Sequence, residues 1–311
     1  MAFNAAVFVD RKIEEIREQV GNDIAICATS GGVDSIVCAF LAHRALSRNL
    51  IAVFIDDGLM REGEPQAVTS ILRKRGIRTV TVRAASDFFR ALKGKEDPEE
   101  MRKAFRDKFY ITLGNAVRKY RARFMIQGTI AADVIETKGK IKSQHNVLSQ
   151  IGINPSRYGL NVVEPLVMLF KPDVRKVGKA LGLPSSICQR MPFPGPGLAT
   201  RIIGEVTPEK VRLLRKATAI VEREMKNVKA FQTFCVLLRD RATGIRKGER
   251  AFGNIIVVRS VQSKNAMTAS PTRVPYPVLE RIETKITAQI PDVTKVLYDI
   301  TPKPPSTIEY I

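Results

Sequence analysis

The sequence predicts an α/β protein with a doubly wound parallel sheet, followed by a smaller C-terminal α+β domain. Short continuous apolar runs alternate with segments of helical period through the first half of the chain, which is typical of a parallel sheet covered on both faces. A cluster of prolines and glycines, RMPFPGPGLATRI, then interrupts the pattern at residues 190–202. Together these two observations predict two domains joined by a linker.

The predicted elements of the first half follow one another without a gap in the alternation. Strands are predicted for DIAICA, LIAVFID, IRTVTVRA and ARFMIQG. Helices are predicted for SIVCAFLAHRAL, EGEPQAVTSILRKRG and DPEEMRKAFRDKFYITLGNAVRKY. The segment LNVVEPLVMLFKPDVRKVGKALGLP adds a further strand and helix. The order predicts a doubly wound α/β domain.

Two stretches set the predicted domain boundaries. Residues 128–160 lose their periodicity and are polar and basic, which predicts a lid loop within a first domain of residues 1–189. Residues 203–311 form the second domain, which begins with Thr207 as a helix cap and Pro208 in the first turn. The runs FQTFCVLL, NIIVVRSV and KVLYDIT read as strands, and PVLERIETKITAQI reads as a helix.

Composition limits the classes of function. The 311 residues carry a formal net charge of +20, which implies attraction to phosphates: nucleotides, nucleic acid or an acidic protein partner. No apolar stretch is long enough to span a membrane and no cleavable leader is evident, so a cytoplasmic protein is expected. Four scattered cysteines and two histidines predict neither a disulfide framework nor a Cys/His metal site.

The most informative stretch is SGGVDS, which directly follows the first strand. Gly31 and Gly32 allow close backbone approach, and the hydroxyls of Ser30 and Ser35 can donate to phosphate oxygens at a helix start. The loop lacks the Gly-Lys-Ser/Thr end of a Walker A motif and the spacing of a dinucleotide fingerprint. An acidic Asp34 beside a phosphate implies a divalent cation, Mg²⁺.

SGGVDS is similar to the pyrophosphate loop of the N-type ATP pyrophosphatases, which split ATP between its α- and β-phosphates. Further motifs resemble the ATP-pyrophosphatase and dimerisation domains of GMP synthases over essentially the whole chain. They are VFIDDGLMREGE, DPEEMRKAF, IQGTIAADVIET, KIKSQHNV, VVEPL, MPFPGPGLATRI, NAMTA and YDITPKPPSTIEY. With no glutaminase domain in front, the chain resembles the separate synthetase subunit of a two-subunit GMP synthase. The resemblance implies an adenine nucleotide alpha hydrolase-like fold.

The resemblance implies an ATP site in the first domain. The residues Ser30, Gly31, Gly32, Val33, Asp34 and Ser35 would cradle the departing pyrophosphate, and Ile55 and Gly128 would border the adenine. Asp133 and Glu136 share one face of a helical turn and would meet Mg²⁺ or ATP, with Asp34 and Asp133 as the metal ligands. The lid carries Lys138, Lys140 and Lys142, of which Lys142 best matches the family's lid lysine. A solvated face is the alternative interpretation of these groups.

The resemblance also implies an XMP site formed by residues far downstream. Its members are Arg102, Arg201, Gln232, Lys303, Ile308 and Glu309. The three cations suit the 5′-phosphate, and Gln232 and Glu309 suit hydrogen bonds to ribose or purine. A KPP tail taken alone is equally typical of a fraying terminus. The chain departs from the family pattern at Asp57, Gln144, Met191 and the terminal Tyr310-Ile311.

The implied activity is that of a C–N ligase in GMP biosynthesis. ATP would adenylate XMP at its C2 oxygen, and ammonia from a separate glutamine amidotransferase subunit would displace AMP to give GMP. The resemblance implies a homodimer through the C-terminal domain, and neither a membrane nor nucleic acid is expected as a partner. A tRNA-modifying ATP pyrophosphatase remains an alternative, although it would need a C-x-x-C pair. A non-enzymatic nucleotide- or RNA-binding protein is the second, although it would not need the downstream cations.

Overall fold

The computed structural model describes residues 3–138, 160–188, 190–264 and 266–311, and the chain divides into two compact units. Unit 1 comprises Met1–Asp56, Gly63–Ala84 and Arg106–Arg190, and unit 2 comprises Asp57–Glu62, Ala85–Phe105 and Met191–Ile311. Unit 2 therefore takes in two short stretches that precede the predicted boundary. The functional division at residues 189 and 203 stays a prediction.

The described residues form ten α-helices. They are α1 Ala5–Val20, α2 Val33–Leu46, α3 Glu64–Lys74, α4 Ala85–Leu92, α5 Pro98–Tyr120, α6 Ala131–Lys138, α7 Lys171–Ala180, α8 Ser185–Cys188, α9 Pro208–Glu224 and α10 Tyr276–Gln289. The sequence-based prediction omits α1, α4 and α8, and it omits α6 as a helix of its own. Asn4 begins α1 because its side-chain oxygen accepts hydrogen bonds from the amides of Ala6 and Val7.

The strands fall into two sheets. They are β1 Ala25–Ala28, β2 Leu50–Asp56, β3 Thr79–Arg83, β4 Phe124–Ile126, β5 Asn161–Val163, β6 Gln232–Arg246, β7 Glu249–Gln262, β8 Ser270–Pro271 and β9 Val293–Asp299. The first sheet is entirely parallel in the order β3-β2-β1-β4-β5, which confirms the predicted doubly wound α/β fold. The strand order reverses direction between β1 and β4, and such a switch point is where ligands bind in open α/β sheets.

The centre of the first sheet is formed by apolar residues without exposed surface. Ala25, Ile26 and Cys27 of β1 are fully buried, as are most residues of β2 and the inner face of α2. A strand that is buried on both faces reads as a continuous apolar run, which is why DIAICA and LIAVFID were recognisable. The core therefore holds β1 rigidly beneath the loop that follows it.

The second sheet belongs to unit 2 and confirms the predicted α+β class. The strands β6 and β7 form a long antiparallel hairpin, β8 adds to β7 antiparallel, and β9 adds to β7 in parallel. Both hairpin strands are longer than the apolar runs that predicted them, because their outer halves alternate exposed and half-buried residues. Arg259 of β7 is fully buried and pairs with Asp299 of β9 at 2.5 Å.

The proline- and glycine-rich stretch is packed rather than extended. Gly197–Arg201 forms a 3₁₀ turn whose residues are all buried within unit 2. The amide of Leu198 donates to the carbonyl of Leu59 at 2.8 Å. These residues are the end of the predicted linker at 190–202, so the structure gives that end a fixed place in the core of unit 2.

Candidate functional site

The loop between β1 and α2 is closed on itself by its two serines. The hydroxyl of Ser35 donates to the carbonyl of Gly32 at 3.0 Å and accepts from the amide of Ser30 at 3.2 Å. The Ser30 and Ser35 hydroxyl oxygens lie 3.3 Å apart. Gly31 has φ +85°, a conformation that favours glycine. The loop therefore presents backbone amides at the positive end of α2, as an anion site requires.

Gly128 lies against the start of α2. A Cβ added to it would come within 3.0 Å of the carbonyl carbon and oxygen of Asp34 and of the amide nitrogen of Ser35. These are backbone atoms, so a larger residue at this position would require the start of α2 to shift. Residue 128 follows β4, the neighbour of β1 across the switch point. The structure thus brings two predicted ATP-site segments together, while Ile55 is a buried residue of β2.

Asp34 lies in the first turn of α2 and has one engaged and one unengaged oxygen. Its Oδ2 accepts a hydrogen bond from the Nζ of Lys171, at the start of α7. Its Oδ1 is buried and has no hydrogen-bond partner among the residues that the structure describes. A buried acceptor without a donor is costly, and a cation satisfies it. Lys171 was not predicted, because nothing in FKPD distinguishes it from other lysines near helix starts.

Arg190 is a second residue that sequence reasoning missed. Its Nη1 donates to the carbonyl of Gly31 at 2.6 Å, and its Nη2 pairs with the carboxylate of Glu64, whose side chain is only 3% exposed. The guanidinium therefore fixes the peptide that follows the sharp turn at Gly31. The two arginine contacts join residues 126 and 159 positions apart, so no local pattern in the sequence could have shown them.

The predicted acidic pair lies on α6. The Oδ2 of Asp133 accepts from the amide of Ile130 at 2.9 Å, so this carboxylate caps the start of the helix. The backbone of Glu136 lies in the same helix, and its side chain is outside the described residues. The lid residues Lys140, Lys142, Gln144 and His145 are outside the described residues, as is the Lys138 side chain.

Three of the predicted XMP-site residues form one cluster in unit 2, which we call the Arg201 cluster (Arg201, Gln232 and Glu309). The Arg201 Nε and Nη2 donate to the two carboxylate oxygens of Glu309 at 3.1 and 3.0 Å. The Nε2 of Gln232 donates to Oε1 of the same carboxylate at 2.5 Å. Arg201 is 2% exposed, and its guanidinium carbon lies 5.0 and 4.2 Å from the ring centres of Phe193 and Phe234.

The other three predicted XMP-site residues have different partners. Lys303 donates from Nζ to the carbonyl of Ala266 at 2.8 Å, and Ile308 is buried beside the cluster. Arg102 lies on α5 and pairs with Glu99 one turn earlier. Each of the three predicted cations thus has a protein partner.

The cysteines and the charged groups limit the chemistry of the described residues. Cys27, Cys38, Cys188 and Cys235 are all buried and free, and burial raises the pKa of the Cys38 thiol well above its usual value. Among the described residues, no group of three or more His, Cys, Asp or Glu side chains could hold a metal ion. No helix in the same part of the chain is long and apolar enough to cross a membrane.

Comparisons with known proteins identify the family of the chain. Residues 7–195 match the NAD synthase family, and residues 219–310 match the GMP synthase C terminal domain family. A subunit of the glutamine-hydrolysing GMP synthase of Archaeoglobus fulgidus is 50% identical over 304 residues, covering 97% of this chain and 98% of its own. The same subunit of Methanopyrus kandleri is 47% identical, covering 99% of both chains. The chain belongs to the GMP synthase family.

Membership in the GMP synthase family confirms the predicted synthetase and ligase assignment. It also supports ATP as a substrate of the first unit, since the NAD synthase match spans the β1–α2 loop. The tRNA-modifying alternative is not favoured by any of these matches. The four buried thiols are consistent with that, because a thiolating enzyme needs an accessible, low-pKa cysteine.

Proposed function

We propose that this chain adenylates XMP at its C2 oxygen with ATP and passes the activated purine to ammonia, giving GMP, AMP and pyrophosphate. The observation that carries the proposal is the closed β1–α2 loop at the switch point, with the unengaged Asp34 Oδ1 beside it. In the first step the C2 oxygen of XMP attacks the α-phosphorus and pyrophosphate leaves. In the second, ammonia attacks C2 and AMP leaves with the oxygen.

The residues of the loop would hold the departing pyrophosphate. Ser30 and Ser35 already order the loop, in which the Gly32 amide also donates to the Ser30 hydroxyl, so the amides that open α2 stand ready without reorganisation. Arg190 keeps the Gly31 peptide in place from the other side. Lys171 is half-buried and cationic, so it supplies positive charge next to the phosphate that leaves. In the structure, the ion pair with Asp34 holds Lys171 beside the loop.

The donor set fits Mg²⁺ in part. Mg²⁺ is typically bound through one or two carboxylates together with phosphate oxygens and water, so a cage of protein ligands is not required. The buried Oδ1 of Asp34 lacks a donor in the described chain and is a suitable ligand. Asp133 is the second proposed ligand, although one of its oxygens caps α6. When bound, Mg²⁺ would offset charge on the phosphates of ATP.

In unit 2 the geometry favours different tasks for the predicted XMP residues. Both Nε and Nη2 of Arg201 are used by Glu309, so we propose that Arg201 positions this carboxylate rather than binding the 5′-phosphate itself. Glu309 and Gln232 would then recognise ribose or purine. Lys303 and Arg102 are proposed for the 5′-phosphate. Lys303 is held by one backbone carbonyl and Arg102 by the exposed Glu99, and a phosphate could replace either partner.

The remaining parts of the proposal concern partners. Ammonia would come from a separate glutamine amidotransferase subunit, because the relatives are each named as one subunit of a glutamine-hydrolysing enzyme. Lys142 of the lid would stabilise charge at the α-phosphate, and the C-terminal domain would form a homodimer. The role of Lys142 and the homodimer both rest on the resemblance to GMP synthases.

A coupled assay tests the proposed reaction. The chain is incubated with ATP, Mg²⁺, XMP and high ammonium, and GMP is measured by chromatography. We expect GMP and pyrophosphate in equal amounts, and none when glutamine replaces ammonium unless the glutaminase subunit is added. A folded protein that releases no GMP under these conditions would overturn the proposal.

A further inference from the structure

A second charged surface lies at the edge of the first sheet where its strands begin. Because the sheet is parallel and helices run back between strands, the turns that end the helices collect at this one edge. We call it the basic edge and define it by residues 20–24, 43–50, 72–79, 117–124 and 179–184. All five segments belong to unit 1 and are fully described. The ATP loop follows the carboxyl end of β1 instead.

Contacts between these turns show that they form one surface. The side-chain nitrogen of Asn49 donates to the carbonyl of Asn22 at 3.2 Å, and the amide of Arg123 donates to Ile24 at 3.0 Å. The guanidinium of Arg78 lies 5.7 Å from the ring centre of Tyr120. Arg75 donates to the carbonyl of Gly182 at 2.7 Å. Each turn therefore touches at least one other.

The basic edge concentrates the charge of the chain. It carries eleven cationic side chains and one carboxylate, Asp23, so its surplus of ten is half of the formal net charge of +20. All eleven cations are exposed: Arg44, Arg48, Arg73, Lys74, Arg75, Arg78, Arg118, Lys119, Arg121, Arg123 and Lys179.

Stabilisation of helix ends does not account for this surplus. Cations are favoured in the last turn of a helix, and the effect falls off within that turn. Arg78, Arg121 and Arg123 lie beyond the helix ends, in the turns that enter the next strands. Like charges placed this densely repel one another, so their concentration lowers stability and points to an anionic ligand.

We propose that the basic edge binds the phosphodiester backbone of a nucleic acid. Eight of the eleven cations are arginines, whose guanidinium groups match phosphate oxygens in pairs. A protein partner would need apolar anchors, and none of the large exposed hydrophobic side chains of the described chain lies in these five segments. The glutaminase is also disfavoured, because its ammonia must reach the opposite edge of the sheet. The net charge alone left nucleic acid open as a partner, and the proposal departs from the sequence-based expectation that nucleic acid is not one.

The test is fluorescence anisotropy with labelled 25-nucleotide RNA and DNA oligomers, single-stranded and duplex, from 50 to 200 mM KCl. The variant carries Arg48→Gln, Arg73→Gln, Lys74→Gln and Arg121→Gln. The matched control carries Arg212→Gln, Lys216→Gln, Arg223→Gln and Lys226→Gln, four cations of unit 2 outside the basic edge. Both proteins lose four positive charges and have the same net charge, so the main difference between them is where the charge was removed.

We expect the unaltered chain to bind oligomers with a Kd of about 10⁻⁵ M or tighter at low salt. The basic-edge variant should bind at least about tenfold more weakly, and its salt slope for single strands should fall by about 3, or ~0.7 for each lost phosphate contact. The control should change by less than about twofold. The RNA and DNA arms show which backbone is preferred.

Three results would overturn the proposal. One is no binding at 50 mM KCl, and another is equal weakening in the variant and the control, which would indicate net charge alone. The third is poly-glutamate displacing RNA at equal charge concentration, which would indicate an acidic protein ligand. GMP formation should be the same in all three proteins, so a failure here is separate from a failure of the proposed ATP chemistry.

Discussion

The β1–α2 loop and the Arg201 cluster both concentrate positive potential, but they do so by different physical means. In the loop, residues 30–35 are contiguous, several are exposed, and the positive potential comes from backbone amides at the start of α2. In the cluster, Arg201 is almost fully buried and is neutralised by Glu309, which lies 108 positions away. The positive potential of the loop is available to a proposed ligand, whereas the charge of Arg201 is already paired with Glu309.

This difference teaches where substitutions should act. A side chain of the loop that faces a ligand contributes little to the packing of unit 1, so its loss should affect activity rather than stability. Removing a member of the Arg201 cluster leaves a buried charge without its partner, so stability should fall together with activity. The following experiments test that separation.

The largest effect is expected for Asp34→Ala. Because the buried Oδ1 of Asp34, which has no hydrogen-bond partner among the described residues, is the proposed metal ligand, pyrophosphate release should fall by about 10³-fold. The melting temperature should change little, since Lys171 is half-exposed and can be solvated. The measurements are pyrophosphate release with XMP and thermal unfolding. Asp10→Ala, an exposed change on α1, is the control. Unchanged release would remove Asp34 from the mechanism.

Glu309→Ala should reduce both stability and XMP use. It leaves the Arg201 guanidinium buried between two aromatic rings without a carboxylate, at a cost of about 3 kcal/mol in unfolding free energy. Denaturant unfolding measures the loss, and Glu249→Ala on the exposed end of β7 is the control.

A double variant separates the two roles of this carboxylate. Arg201→Met with Glu309→Ala removes both charges, so most of the stability should return, whereas XMP use should stay impaired. If GMP formation recovers together with stability, the cluster is structural only. The Arg201 cluster would then contribute to stability alone, and the β1–α2 loop to activity.

Gly128→Ala should lower activity without unfolding the protein. The added methyl group would come within 3.0 Å of backbone atoms of Asp34 and Ser35, and shifting the start of α2 misplaces the loop. We expect kcat/KM for ATP to fall by about 10²-fold. Gly248→Ala is the matched control, because it has open space around it but a φ of +84°, so it should lose stability and keep activity. The opposite result in this pair would contradict the assignment of Gly128.

The two regions also differ in what the sequence could reveal. Ser30 to Ser35 were identified because a strand, a glycine turn and a helix start are consecutive in the chain, so local rules apply. The first sheet was equally accessible, since β1 and β2 are continuous apolar runs. The contacts of Arg190 with Gly31 and of Lys171 with Asp34 join distant residues, and only the folded chain shows them.

In the second unit, local sequence patterns predict fewer of the contacts that form the candidate site. Arg201, Gln232 and Glu309 were selected by resemblance, and nothing in their local sequence shows that they touch. The resemblance assigned Arg201 to a phosphate, whereas its hydrogen bonds to Glu309 are visible only in the structure. The sequence-based prediction lacks helix α1, although Asn4 caps a regular amphipathic helix there.

The smallest expected effect is a pH dependence that belongs to unit 2 alone. Burial would raise the pKa of Asp299, but hydrogen bonds from Thr301 and Tyr310 and the Arg259 guanidinium hold it below the ordinary carboxyl value. A carboxyl with a lowered pKa in the folded state adds stability above its unfolded pKa and loses it as pH falls through the folded one. Unfolding midpoints in urea should therefore decline below about pH 4.

Asp299→Asn tests this acid limb because it keeps the shape of the side chain and removes the titration. The variant should be less stable at pH 7, and its midpoint should depend less on pH below about 4 than that of the unaltered chain. Asp240→Asn, on the exposed part of β6, should leave the pH profile unchanged. If Asp299→Asn and the unaltered chain decline in parallel, the acid sensitivity arises elsewhere. The charges of Arg259 and Asp299 would then not stabilise unit 2, just as the charge of the β1–α2 loop is not expected to stabilise unit 1.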